Sequence, residues 1–293
     1  MNDRDWLAQK FEENRSRLRA VAYRMLGSLG EADDAVQEAW LRLTRSEAKV
    51  IENLGGWLTT VVGRVCLDIL RSRKSRREES FDDRFPDLVV SREKQIDPEQ
   101  QTLIADSVGL ALLVVLQTLT PHERLAFVLH DMFAVPFGEI ASILECSPAA
   151  ARQLASRGRR RVRGAAPIPD TDVNHQRKLV DAFLAAVHDG KFEELIGLLD
   201  PDVVLRSDHI PGKLTVIRGA RIVAQQALAF SRLAESVEPV LVNGTAGIVS
   251  WLPNGEPFSV MSFTVQRNRI VEIQVVRDGA HLYRLDLTSI HKN

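Results

Sequence analysis

Positive charge in this chain is sorted into blocks. Between Arg64 and Arg77 stand six basic residues, Arg64, Arg71, Arg73, Lys74, Arg76 and Arg77, against one acid, Asp68. Between Ala149 and Gly164 stand six arginines and no acid. Cationic side chains at that density suit phosphate, which they neutralise with release of counterions whatever the base sequence. A third block has the opposite sign: Glu31, Asp33, Asp34 and Glu38 occur with no base among them. Net charge is −1, so the informative quantity is local, and two basic stripes with one acidic stripe can meet both nucleic acid and a basic protein surface. Residues for bond-making are not arranged for it. The seven histidines are scattered with no ligand-like cluster, and neither a GxxxxGK[ST] phosphate loop nor a GxSxG elbow occurs. No metal, nucleotide or other cofactor is therefore expected.

Helices must position the charged blocks. In GEADDAVQEAWLRLTR, the residues Ala32, Val36, Ala39, Trp40 and Leu43 recur at three- and four-residue intervals and form one buried stripe. Asp33, Asp34, Gln37 and Glu38 then share the other side. In NLGGWLTTVVGRVCLDILRSRKSRR a second stripe runs through Trp57, Val61, Val65 and Ile69 into an arginine-rich end. Trp57 lies on that stripe and is read as core rather than as a platform for stacked bases.

At 293 residues the chain is too long for one ordinary core. From about Glu78 to Gln101 periodicity lapses into charge with Pro86 and Pro98, which reads as a linker. Helical spacing returns at Thr102 and runs to Val162, broken at Thr120-Pro121 and around Cys146. GAAPIPDTD after Arg163 is a second linker, and two more helices (His175 to His188, Lys191 to Leu199) lead into alternating β-branched stretches such as AGIVSWL and RIVEIQVV. The longest apolar run, Val108 to Leu116, is far too short to cross a bilayer. No secretory signal pattern opens the chain, and two cysteines far apart, Cys66 and Cys146, exclude a disulfide framework, so a cytoplasmic location is expected.

The stretch PFGEIASILECSPAAARQLASRGRRRVR has the cadence of helix, turn and second helix. Ile140, Ala141 and Leu144 form the inward face of the first helix, and Glu145-Cys146 makes the turn. Ser147 can cap the second helix, with Pro148 at its first position, where a missing N–H costs nothing. A helix-turn-helix leaves the start of its second helix open to a major groove. Ala149, Ala150, Arg152, Gln153 and Ser156 would then lie nearest base edges, with Arg157, Arg159, Arg160 and Arg163 nearer phosphates.

Taken together, DDAVQEAWLRL, GGWLTTVVGRVCLDILRSRKSRR, LTPHERLAFVLHDMFAVPFGEIASIL and SPAAARQLASRGRRRVR resemble the two modules of extracytoplasmic-function sigma factors, the promoter-specificity subunits of bacterial RNA polymerase. The resemblance covers about residues 6 to 164 and implies a role for each block. The helix of Asp33, Asp34, Gln37 and Glu38 is similar to the segment that docks on core polymerase, on the coiled-coil of the β′ subunit, with the β subunit a further partner. Trp57 to Arg77 corresponds to the promoter-melting part, with Arg64, Arg71, Arg73, Lys74, Arg76 and Arg77 as strand contacts. The helix-turn-helix would read the upstream promoter element as duplex DNA.

Beyond Pro169, LVDAFLAAVHDGKFEELIGLLDPDVVLRSD, VIRGARIVAQQ and the strands ending RIVEIQVVRD resemble the SnoaL-like branch of the cone-shaped α+β fold. Sigma factors with this appendage form a SigJ-like group, in which the added domain contacts the sigma modules and tunes them. The fold class implied is multi-domain: two all-α sigma modules, the second a helix-turn-helix, then an α+β cone. Boundaries are expected at 1–80, a linker at 81–101, the second module at 102–165, a linker at 166–174 and the cone at 175–293. The group's SDGGGK stands here as SDHIPGK (Ser207 to Lys213), and its NPDKL as DGAHL (Asp278 to Leu282), so Asp208, Asp278 and Leu282 are the candidate regulatory residues. Cone-fold cyclases use an acid-base pair in the pocket, which directs attention to Asp202, Asp208, His209, His281 and Asp286, none at a spacing that dictates chemistry. Two other classes stay open: an operator-binding repressor or activator whose cone senses a small molecule, and a cyclase-like enzyme with a vestigial DNA-binding arm.

Overall fold

The computed structural model describes residues 3–46, 51, 53–76, 86–92, 110–165, 170, 172–210, 213–231, 236–285, 287 and 290. They divide into two compact units.

The helical unit begins with α1 (Asp3–Leu26), α2 (Leu29–Arg45) and α3 (Leu54–Arg76). Gly27, at φ 72°, supplies the left-handed residue that lets α1 stop and α2 turn back. Ala32, Ala35, Val36, Ala39 and Leu43 form the buried stripe of α2, while Trp40 is only half-buried, its ring 5.0 Å from that of Phe11. In α3 the most deeply buried residues are Leu58, Val62 and Cys66, and Trp57 is half-buried. Of the expected stripe, Val61 and Val65 are buried as well, while Trp57, read as core, and Ile69 are only half-buried; α3 packs on α1 and α2 and also on the two helices that follow in this unit.

Those helices are α5 (Pro121–Phe127), extended by a π-helical turn at Val128–Met132, and α6 (Phe137–Leu144), preceded by α4 (Leu110–Gln117). Thr120 and Glu123 form a reciprocal capping box around Pro121. The continuous periodicity expected up to Cys146 breaks once more, at residues 133–136. Pro136 cannot continue a helix, it biases Val135 away from the helical region, and Ala134 takes φ 54°. Helix α6 ends on Glu145 at φ 54°, where the Cys146 N–H reaches back to the Ala141 carbonyl at 3.0 Å. Ser147 then accepts from Ala150 N at 3.2 Å and caps α7 (Pro148–Ala165). Ile140 and Ala141 face inward as expected, but Ile143 is buried where Leu144 is half-buried.

The second unit is built on one sheet of seven strands, in the order β1-β4-β5-β6-β7-β2-β3. Its elements are α8 (Val173–His188), α9 (Phe192–Leu198), β2 (Leu199–Ile210), β3 (Lys213–Arg218), α10 (Ala220–Ser231), β4 (Ser236–Val242), β5 (Thr245–Trp251), β6 (Pro257–Gln266), β7 (Arg269–Val276) and α11 (Gly279–Leu282). All pairings are antiparallel except β2 with β7. Strand β1 is Val90–Ser91, which pairs with Val242 and Leu241. The stretch read as a linker thus contributes an edge strand. Its anchor is Asn243, in the Asn-Gly turn between β4 and β5, whose Oδ1 accepts from Val89 N at 2.7 Å and whose N–H donates to Val89 O at 2.8 Å.

Helix α8 lies on the sheet through Val180 and Phe183, whose ring meets that of Phe263 edge-on at 5.6 Å, and Leu195 of α9, Val223 of α10, Ile248 and Ile273 share that core. Buried Gln176 accepts from Ala246 N at 3.0 Å, and Arg177 donates to the Val240 and Gly247 carbonyls at 2.6 and 3.0 Å, so polar bonds set the helix's place as well as apolar contact. Helices packed on one mixed sheet give the α+β architecture expected for this part of the chain.

Candidate nucleic-acid interface

Helix α7 has two unlike faces. Ala151, Ala155, Gly158 and Val162 are buried, and a Cβ on Gly158 would stand 3.1 Å from the Glu123 carbonyl oxygen, which shows how closely α7 crosses α5. Ala149, Arg152, Gln153, Ser156, Arg157, Arg160 and Arg163 are exposed and Ala150 half-buried, so the residues expected to face DNA do share a surface. Arg152 lies over the Phe137 ring at 5.2 Å, and that ring stacks on His130 at 3.9 Å. The stack holds one guanidinium near the start of the helix.

Other arginines of this block are occupied. Arg159 donates to Asp131 Oδ1 at 2.5 and 2.8 Å. Arg161 donates to Glu123 Oε2 at 2.7 Å, and the same oxygen accepts from Thr120 N and Oγ1 at 3.2 and 2.9 Å. One buried carboxylate therefore caps α5 and ties α7 to it. Sequence reasoning passed over Glu123, although T-P-H-E before an apolar run is a capping-box signal.

The basic block of α3 is arranged differently. Arg64 donates to the Ser142 carbonyl at 3.1 Å, Arg71 meets His122 Nε2 at 3.1 Å, and Arg73 donates to Leu26 O at 3.0 Å and pairs with Glu31. The side chains of Lys74 and Arg76, and all of Arg77, lie outside the described residues. Burial lowers the pKa of His122, and Arg71 lowers it further.

On α2, Asp33, Asp34 and Gln37 are exposed and Glu38 is half-buried. Asp33 accepts from Arg19 Nε at 2.5 Å and Glu38 from Arg42 Nε at 2.8 Å. Asp33 and Gln37 line a groove of about 240 Å³ with Phe11, Val36 and Trp40. Of the four acids only Glu31 stands in the first turn, so the helix dipole does not account for the others.

In the sheet unit, Asp208, Asp278 and Leu282 come together. Asp208 Oδ1 accepts from the N–H groups of Arg277 and Asp278 at 2.6 and 3.2 Å, Asp278 caps α11, and Leu282 is buried. Asp208 Oδ2 lies 3.7 Å from His281 Nδ1, yet neither lines the unit's cavity, and Asp202 is exposed. The side chain of His209 and all of Asp286 lie outside the described residues. Among the described residues no cluster of metal-ligating side chains occurs, and no helix is long and apolar enough to cross a membrane.

Residues 11–76 match the family model Sigma-70 region 2, and residues 109–162 match Sigma-70, region 4. The ECF RNA polymerase sigma factor SigJ of Mycobacterium tuberculosis is 38% identical over 281 residues, covering 92% of this chain and 88% of the relative. The chain belongs to the extracytoplasmic-function sigma factors. A crystal structure of M. tuberculosis SigJ superposes with a TM-score of 0.77 at 33% identity, over 94% of this chain and 98% of that one, so the likeness takes in the cone as well. As a sigma factor the chain acts with core RNA polymerase and promoter DNA in promoter-specific transcription initiation. Sigma factors are not enzymes.

Proposed function

We propose that the chain reads the upstream promoter element with the exposed face of α7, docks on the β′ and β subunits of core polymerase through α2, and holds the melted strand with the basic end of α3. The carrying observation is the division of α7. Gln153, Ser156, Arg157 and Arg160 are exposed and unengaged by protein partners among the described residues, whereas Arg159 and Arg161 are tied inward. Base-reading residues then precede phosphate-binding ones along one helix face. Asp33, Asp34, Gln37 and Glu38, beside a groove lined by Phe11, Val36 and Trp40 as well as by polar side chains, suit a basic protein helix. Arg64 and Arg71 must exchange their contacts with residues 142 and 122 for strand phosphates, so strand capture accompanies a separation of α3 from the reading module. Such a protein works in the cytoplasm, where polymerase is.

The SnoaL-like unit is a regulatory attachment in this reading and performs no catalysis. Asp208 spends its oxygens on backbone N–H groups and on His281 away from the cavity, which supports a structural use of the acid. Asp208, Asp278 and Leu282 then shape the unit's last helix, through which activity is tuned.

The test is run-off transcription with sigma-free core polymerase on DNA from upstream of the chain's own gene. A specific transcript is expected from the full chain, and its loss with Asp34→Lys and Glu38→Lys together. Removing residues 278–293 should change the yield; an unchanged yield ends the regulatory reading. Operator binding without polymerase and without any transcript would favour a repressor.

A further inference from the structure

The SnoaL-like unit encloses a cavity of about 620 Å³ between α8, α10 and the sheet, within the range of small-molecule sites. Phe183, Val187, Leu205, Ile248, Met261 and Ile273 give it an apolar wall. Arg277, the first residue after β7, brings the charge. Its guanidinium carbon lies 4.7 Å from the centre of the Phe230 ring and 4.2 Å from that of Phe258. Its Nε is buried and has no hydrogen-bond partner among the described residues. Asp208 supplies a compensating charge but no acceptor, because Oδ1 takes the backbone N–H groups of Arg277 and Asp278 and Oδ2 lies towards His281. Burial draws the Arg277 pKa down, and Asp208 opposes this.

A guanidinium presents five N–H donors and accepts nothing. Two aromatic rings lie against the guanidinium and supply no in-plane acceptor, which leaves its N–H donors for an acceptor in the cavity. A carboxylate fits those donors. A dianion would carry a second negative charge into a lining that holds no second arginine or lysine and stands near Asp208. A neutral acceptor would leave the strongest available pairing unused.

We propose that this cavity binds a small apolar molecule bearing one carboxylate, its carboxylate on Arg277 and its apolar body against Phe183, Ile248 and Met261. The lining residues all belong to the sheet unit, and occupancy of the site is read without polymerase or promoter.

The experiment is calorimetric titration of the full chain with decanoate, 1-decanol, acetate and decyl phosphate. Decanoate should bind one to one, with decanol and acetate each at least about tenfold weaker, since a charge-assisted bond and an apolar body each contribute that much. Arg277→Met keeps an apolar stem, and should weaken decanoate at least about tenfold while leaving decanol unchanged. Where circular dichroism shows that variant unfolded, Ala227→Phe on α10 decides instead, because its ring fills the cavity and should abolish decanoate binding. Decanol binding as tightly as decanoate, decyl phosphate binding more tightly, or no decanoate binding up to about 1 mM overturns the proposal. Decanoate affinity unchanged in the folded variants also overturns it.

Discussion

Helices α3 and α7 each carry a block of basic residues, and the two blocks are in opposite conditions. On α7, Arg157 and Arg160 stand exposed and unengaged by protein partners among the described residues, while Arg159 and Arg161 are paired with acids of the same module. On α3, Arg64, Arg71 and Arg73 all have protein partners, two of them in the reading module. A duplex-reading surface can stand ready because duplex DNA is already present when it is needed. In the proposed reading the surface of α3 has no ligand until base pairs open, and its guanidiniums take carbonyl, carboxylate and imidazole groups instead. Charge density in a sequence therefore marks a phosphate-binding helix without saying which cations are available.

That contrast can be broken most strongly on α7. Arg157→Ala together with Arg160→Ala should weaken promoter binding by about tenfold or more and reduce the slope of log affinity against log salt by about 2, with the melting temperature unchanged. A salt titration of promoter affinity measures both; an unchanged slope would remove these arginines from the phosphate-contacting set. Next in size is the crossing of α7 on α5. Gly158→Ala puts a methyl 3.1 Å from the Glu123 carbonyl oxygen and the Phe127 Cβ, neither of which can swing aside, and should cost about 1–2 kcal/mol in urea unfolding. On α3, Gly63→Ala meets a terminal methyl of Leu125 at 3.3 Å and the branch methyl of Ile143 at 3.4 Å, and the gain in helix propensity should leave it close to neutral.

Arg73→Ala should lower stability by about 1 kcal/mol, reduced from a buried pair's value because both partners are about a third exposed. Equilibrium unfolding of Arg73→Ala against Arg157→Ala distinguishes the structural arginine from the available one. The smallest effect is a pH slope. His122 has a lowered pKa in the folded chain, first from burial and then from Arg71, so the unfolded chain takes up the proton first. Stability should fall as pH drops through about 6.5 towards the folded value, and His122→Asn should flatten that part of the profile.

Much of the site was legible because helices announce themselves locally. Pro148 after Ser147, and small residues at the crossing, mark the start of α7 and its buried face without reference to anything distant. The stripe Ala32, Val36, Ala39, Leu43 likewise turns Asp34 and Gln37 outward by spacing alone. Val90–Ser91 was not legible as a strand, since two residues carry no period and their pairing depends on Asn243, more than 150 positions later. Arg277 gave no signal either, being one arginine after a strand.

The sequence by itself determined the order of the modules, the helix-turn-helix, the acidic and basic faces, and the family to which they belong, because these rest on contacts between near neighbours and on spacing along the chain. Only the tertiary structure decided which arginines are available and which are tied, that Glu123 joins α5 to α7, and that Arg277 meets a cavity between two rings. A side chain's partner is set by what the fold brings within about 3 Å of it, and that distance is not written in its neighbours along the chain.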